Sequence, residues 1–189
     1  MGPYYLTALV ALLGPVHAVS GFASTRVGER TIEIGPRTGE TFASSTPTHT
    51  TAALELTGGV TATLVASFEA PSQYVCDLRV YGSDGVLELP DPNSFGGTVR
   101  LRRGRGGWED VSYATRGARE SRGLGLAEMV EAIVARRPHR ASGELGEHVV
   151  AAARAILEAA AKGRAVTIRK VPAQPAAMPV PVDAEAASG

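Results

Sequence analysis

Apolar positions run almost unbroken from Leu6 through Leu13, after Gly2-Pro3-Tyr4-Tyr5, and the run breaks at Gly14-Pro15. Pro3 suits the first turn of a helix, where its missing N–H is not needed, and Pro15 cannot continue one. The stretch predicts a helix of about three turns. It is apolar nearly all the way round, so it is buried on most sides or lies in a membrane. A bilayer core needs about 20 apolar residues, more than this run supplies. A secretory signal with cleavage after Ala18 lacks its basic n-region, since the first Lys or Arg is Arg26. The helix begins at residue 1 with no preceding chain to cover it, which leads us to expect a neighbour upstream.

Periodicity then changes from helix to strand. Val16 to Val27 is rich in small and β-branched residues, Thr31-Ile32-Glu33-Ile34 alternates briefly, and 35–48 reads as a Gly/Pro/Ser/Thr loop. Ala52, Leu54 and Leu56 alternate with Ala53 and Glu55, and Thr57-Gly58-Gly59 makes a tight turn. The return strand sets Ala62, Leu64, Ala66 and Phe68 against Thr61, Thr63, Ser67 and Glu69. A third strand runs from Tyr74 to Val80, and Gly82-Ser83-Asp84-Gly85 turns it into Val86–Leu89. These strands predict one antiparallel meander. After the rigid loop 90–97, Thr98–Arg102 and Trp108–Tyr113 form another hairpin.

Helical spacing returns near Leu124. Leu126, Val130, Ile133 and Val134 form a stripe that Arg136-Arg137-Pro138 ends. Ser142 suits an N-cap, and Leu145, Val149, Ala152, Ala153, Ile156, Leu157 and Ala160 keep one face up to Gly163. Val166-Thr167-Ile168 is a final strand. The order predicts an α+β fold, a mainly antiparallel sheet with helices packed on one face. Residues 1–170 form one domain and 171–189 a disordered Pro/Ala-rich tail.

Composition adds exclusions. Nineteen basic residues balance nineteen acidic ones, so no net field draws the chain to nucleic acid or an anionic membrane. The single cysteine, Cys76, excludes an intramolecular disulfide and a cysteine-based zinc site, and favours a cytoplasmic location. His17, His49, His139 and His148 lack the spacing of a helical metal pair. His148, beside the apolar stripe, reads as a packing residue, and His139 as part of a solvated loop. No strand–GxGxxG–helix, P-loop or GxSxG elbow is present. The cluster Arg100, Arg102, Arg103 and Arg105 beside Trp108 is followed by Glu109 and Asp110, and reads as a solvated hairpin rather than a nucleic-acid patch.

Several segments together resemble the C-terminal domain of the Gfo/Idh/MocA oxidoreductases. Met1-Gly2-Pro3-Tyr4-Tyr5-Leu6-Thr7 is similar to the family's Asp-x-Gly-x-His-x-x-Asp helix start. Val80-Tyr81-Gly82-Ser83-Asp84-Gly85-Val86-Leu87 resembles its Tyr-Gly-Thr-x-Gly turn, and Arg137-Pro138-His139-Arg140-Ala141-Ser142-Gly143 leads into its long helix. On this resemblance Tyr4 falls at the family His and Thr7 at the final Asp, so these are the catalytic candidates. A phenol is a poor base near neutrality without a cation beside it, and Thr7 cannot replace an ionised carboxylate.

The resemblance further implies that Tyr4, Tyr5, Phe95 and Arg122 line the substrate side. It implies NAD or NADP in the complete enzyme and none bound by this chain alone, because the Gly-rich turn and the Glu-Lys-Pro lysine are missing. It also implies a sugar-like substrate, a homo-oligomer through the sheet face and an upstream Rossmann domain. The chain then reads as the substrate and oligomerisation half of an oxidoreductase acting on a sugar, polyol or related hydroxyl compound, inactive without its partner. The alternative is a non-enzymatic binding or dimerisation module using the open sheet face.

Overall fold

The first helix, α1 (Gly2–Leu13), buries Leu6, Leu9 and Val10 and leaves Tyr4, Thr7 and Leu12 exposed. It stops at Gly14, whose φ of 88° is the left-handed value that caps a helix without a Cβ penalty. The Gly14 N–H closes the last turn on the Val10 carbonyl at 3.0 Å. The expectation of a helix without cover of its own is therefore corrected: one stripe of α1 is packed by this chain, against the long helix α3.

The computed structural model describes residues 2–69, 78–112 and 123–178. After α1 come β1 (Val16–Ser24), β2 (Glu29–Thr31), β3 (Thr41–Ala43), β4 (His49–Leu56), β5 (Thr61–Ser67), β6 (Leu78–Tyr81), β7 (Gly85–Leu89), β8 (Val99–Arg103) and β9 (Trp108–Val111). The helices α2 (Leu124–Val134) and α3 (Gly143–Lys162) and the strand β10 (Val166–Thr167) complete the order. All strand pairs are antiparallel, and the α+β class stands. The chain divides into two units, one built from residues 2–69 and 143–174 and the other from 78–112, 123–142 and 175–178.

The first unit holds a sheet of order β10-β1-β4-β5. Period-2 alternation turns Val19, Ala52, Leu54 and Leu56 to the buried side, where α3 lies on β1, and a bulge between Val16 and Ala18 brings Val16 to the same side. Small residues on α3 (Ala152, Ala155, Ala159) let helix and sheet approach closely. The opposite face is open: Phe22 pairs with Thr51 and Thr51 with Val65, and Phe22 is 80% and Val65 67% exposed. Gly21 sits inside β1 where a Cβ would stand 2.2 Å from the Thr51 carbonyl oxygen, so only glycine fits.

β2 and β3 form a separate two-stranded ribbon where the sequence reads mostly as loop. It prolongs the β1–β4 hairpin, and its base is tied by Glu69, which accepts from the Arg26 N–H at 2.8 Å and from the Thr48 hydroxyl. Arg30 reaches from the ribbon to the Phe68 carbonyl at 2.9 Å and lies 5.7 Å over the Phe68 ring.

The second unit holds the meander β6-β7-β8-β9. The strands expected as one run from 50 to 89 thus belong to two sheets, and most of the expected strand 74–80 lies outside the described residues. One row crosses the meander as Arg79, Glu88, Arg100 and Asp110 in register. Glu88 takes both Arg79 and Arg100, and Arg100 also lies 5.2 Å over the Trp108 ring. That interlocked row matches the solvated hairpin expected of the arginine cluster. The stripe expected to pack α2 is corrected: Leu126, Val130, Ile133 and Val134 are all more than half exposed. The buried positions are Glu128 and Ala132, one turn apart on the other side, because Glu128 is claimed by the arginines that follow the helix.

Candidate functional site

Tyr4, Tyr5 and Thr7 share the first two turns of α1. The Thr7 hydroxyl donates to the Pro3 carbonyl at 2.7 Å, a bond within the helix that uses its proton and leaves Thr7 as an acceptor only. Tyr4 is 52% exposed, with its phenol outside the packed stripe. The helix is held at its far end by Gln174, whose side-chain amide donates to the Ala11 carbonyl at 2.9 Å, and it ends at Gly14, where an added Cβ would stand 3.0 Å from the Thr57 Cβ.

Of the other sequence candidates, Phe95 stands half-exposed in the β7–β8 loop of the second unit, beside the Asp91 turn in which Asn93 N–H donates to Asp91 Oδ1 at 2.9 Å. Arg122 lies outside the described residues. Tyr4, Tyr5 and Thr7 are therefore brought together by one helix, and Phe95 belongs to a different unit.

Beneath α1 the chain is pinned by His148. This side chain on α3 is only 2% exposed; its Nε2 accepts the Val16 backbone N–H at 3.0 Å, which leaves the proton on Nδ1, 3.2 Å from the Lys170 carbonyl oxygen. Burial lowers its pKa, opposed by the Lys170 carbonyl and reinforced by nearby His17. The packing role expected of His148 holds, with two directed hydrogen bonds added. A lone helical His beside an apolar stripe was the signal, but the strand it would hold was not readable.

In the second unit Glu128 is a fixed anion. Its Oε1 accepts from Arg137 at 2.7 Å and from Arg140 at 2.6 Å, and its Oε2 from the Arg140 N–H at 3.1 Å. The Arg137 hydrogen bond is the largest cause that brings its pKa to about 2, followed by the Arg140 backbone. Arg140 also donates to the carbonyls of Ala176 and Ala177, at 2.8 and 2.7 Å. Nδ1 of His139, in the same connection, is buried and has no partner among the described residues. Sequence reasoning missed this cluster, because a glutamate in an exposed-looking helix carries no periodic signal.

Among the described residues no group of three His, Cys, Asp or Glu side chains is placed to hold a metal ion, and no helix is long and apolar enough to cross a membrane. Residues 1–88 match the family model described as the GFO/IDH/MocA C-terminal domain. No curated protein sequence matches the chain. Among solved structures, a levoglucosan dehydrogenase in complex with NADH and L-sorbose shares the fold at a TM-score of 0.70 and 17% identity, over 90% of this chain and 50% of that one. An aldose-aldose oxidoreductase from Caulobacter crescentus, complexed with glycerol, gives a TM-score of 0.65 at 24% identity, over 88% and 46%. A UDP-N-acetylglucosamine 3-dehydrogenase from Acidithiobacillus ferrooxidans gives 0.61 at 22%, over 84% and 44%. The chain spans about half the length of these structures.

Proposed function

We propose, taking as premise that residues 1–88 carry the GFO/IDH/MocA C-terminal domain, that this chain is the substrate-binding and oligomerisation half of a nicotinamide-dependent oxidoreductase. Its substrate is a sugar, polyol or related hydroxyl compound, as the names of the matched dehydrogenases suggest. The observation that carries this reading is the agreement between the family match and the fold shared over nine-tenths of the chain with an NADH-bound sugar dehydrogenase.

In this reading the dinucleotide is held by another domain. Every strand pair among the described residues is antiparallel, so the described chain offers no βαβ crossover whose helix N-terminus could receive a pyrophosphate. What this chain contributes is the exposed end of α1. The Tyr4 hydroxyl is free to donate a hydrogen bond to a substrate oxygen, and Thr7, its own proton used, can only accept one. Tyr5, on the same helix, is the further residue proposed for the substrate side. The open sheet face with Phe22 and Val65 supports self-association, and the same face supports the second reading, a dimerisation module without chemistry.

The test joins this chain to the NADH-binding half of a matched dehydrogenase and offers a panel of sugars and polyols. Substrate-dependent reduction of NAD is expected. A joined protein that binds NADH and turns over none of the panel overturns the enzymatic reading in favour of the module.

A further inference from the structure

The open face of the β10-β1-β4-β5 sheet is ordered in four rows across the strands. Glu55 stands in the first row and His49, at the other end of the same strand, in the fourth. Between them Ser20, Ala53 and Thr63 make the second row, and Phe22, Thr51 and Val65 the third. The second row is small and the third is bulky. The face therefore holds an open depression of about 500 Å³, lined by Ser20, Ala53 and Thr63, with Phe22 and Val65 beside it. Arg164 lines the same depression. A phenylalanine that is 80% exposed beside a hollow of this size is a knob for which its own chain supplies no hole.

Two-fold symmetry supplies the hole. An axis lying in this face, across the strands and between the second and third rows, sets each strand over its own copy with the rows reversed. Sheets stacked face to face keep their strand directions within about 30° of each other, which this arrangement allows. Phe22 of each copy then stands over the other's Ser20, and Val65 over the other's Thr63, so bulk meets the hollow twice. Arg164 lies beside the entering ring, whose face attracts a cation. The first row meets the fourth, so Glu55 of each copy faces the other's His49. Neither Glu55 nor His49 makes a hydrogen bond or salt bridge among the described residues. Glu69, the other acid near His49, is taken by the Arg26 N–H and the Thr48 hydroxyl. An axis along the strands would instead set Phe22 over Thr51 and Glu55 over Ala18, which loses both complementarities.

We propose, resting on the self-association read above, that the open face packs on the same face of a second copy in this reversed register. Phe22 of each copy fills the other's depression and supplies the affinity, and the two contacts of Glu55 with His49 fix the register.

Analytical ultracentrifugation of the full chain measures the dimer, with circular dichroism to check that each variant is folded. Phe22→Ser is expected to weaken the dimer at least about tenfold, as loss of an aromatic anchor does. Glu55→Arg alone and His49→Glu alone are each expected to weaken it about fivefold. The two together are expected to restore it, because opposite charges then face each other again across the axis. A chain that stays monomeric at millimolar concentration, or a dimer that survives both Phe22→Ser and Val65→Asp, overturns the register and the self-association reading together. A dimer that Val65→Asp dissolves and Phe22→Ser does not, or one in which the two charge changes add instead of compensating, overturns the register and leaves self-association through this face standing.

Discussion

The backbone N–H of Val16 ends on Nε2 of His148, 132 residues away in sequence, at 3.0 Å. The bond ties the start of β1 to α3, the helix on which α1 packs. It also fixes the neutral tautomer of a buried imidazole, so the fold carries a defined sensitivity to acid.

The unfolded chain takes up a proton at His148 near pH 6.5, whereas burial holds the folded group's pKa lower. Between those values the unfolded state binds more protons, so stability is full above about pH 6.5 and falls as pH drops through that value toward the folded pKa. Urea unfolding at pH 7.5 and 5.5 is expected to show this loss. His148→Phe leaves the Val16 N–H unsatisfied, costs about 1–3 kcal/mol at neutral pH and flattens the pH dependence over this interval.

Glu128 has the opposite sign at lower pH. Its pKa falls from the ordinary 4.5 to about 2, so its contribution is present above 4.5 and disappears as pH falls through 2. In Glu128→Gln the corresponding part of the acid-unfolding curve is expected to vanish, with stability at pH 7 reduced because Arg137 and Arg140 lose their shared anion. An acid titration followed by circular dichroism measures both effects.

Gly21→Ala places a methyl group 2.2 Å from the Thr51 carbonyl, a backbone atom that cannot rotate away. A loss of about 1–3 kcal/mol, or failure to fold, is expected from the thermal melt. Ala at the open position Gly146, where a Cβ meets nothing within 4 Å, is the control and is expected to be neutral or stabilising.

The two sides of α2 should respond in opposite ways to substitution. Ile133→Lys, at a position 64% exposed, is expected to change stability by less than about 0.5 kcal/mol. Ala132→Leu, at a position with no exposed surface, is expected to cost about 1–3 kcal/mol. Denaturant midpoints of the two variants decide whether the apolar stripe faces out.

Tyr4→Phe removes only an exposed hydroxyl, so the melting temperature of the chain is expected to stay within about one degree. In the joined enzyme the same change is expected to lower kcat/KM by about 100-fold if the phenol serves the reacting oxygen. A change below twofold would remove Tyr4 from the site.

Much of this architecture was legible in the chain. The Pro3 and Gly14-Pro15 signals bounded α1, alternation gave β4 and β5, and Gly163 marked the end of α3, because caps and period are local properties. What stayed hidden depends on distant partners. Leu126, Val130, Ile133 and Val134 have the spacing of a core stripe, yet the buried side of α2 was chosen by an ion cluster with Arg137 and Arg140. β3 is three residues in a Gly/Pro/Thr stretch and exists only through pairing with β2. The division of the strands between two sheets leaves no mark on their alternation. At the candidate site, α1 and its Tyr4 and Thr7 were readable, whereas the hydrogen bond that occupies the Thr7 hydroxyl was not.

The first unit is assembled from two stretches, 2–69 and 143–174, with most of the second unit lying between them in sequence. On the ribosome, β1, β4 and β5 therefore emerge long before α3, and Val19, Leu54 and Leu56 wait without a lid until residues 143–162 have been made. β6 to β9 and α2 of the second unit are made in that interval, whereas Ala176 and Ala177, which Arg140 holds, follow α3. Newly made chains are expected to depend on holding chaperones during that interval, and a pause in synthesis just before residue 143 would be more harmful than one after it.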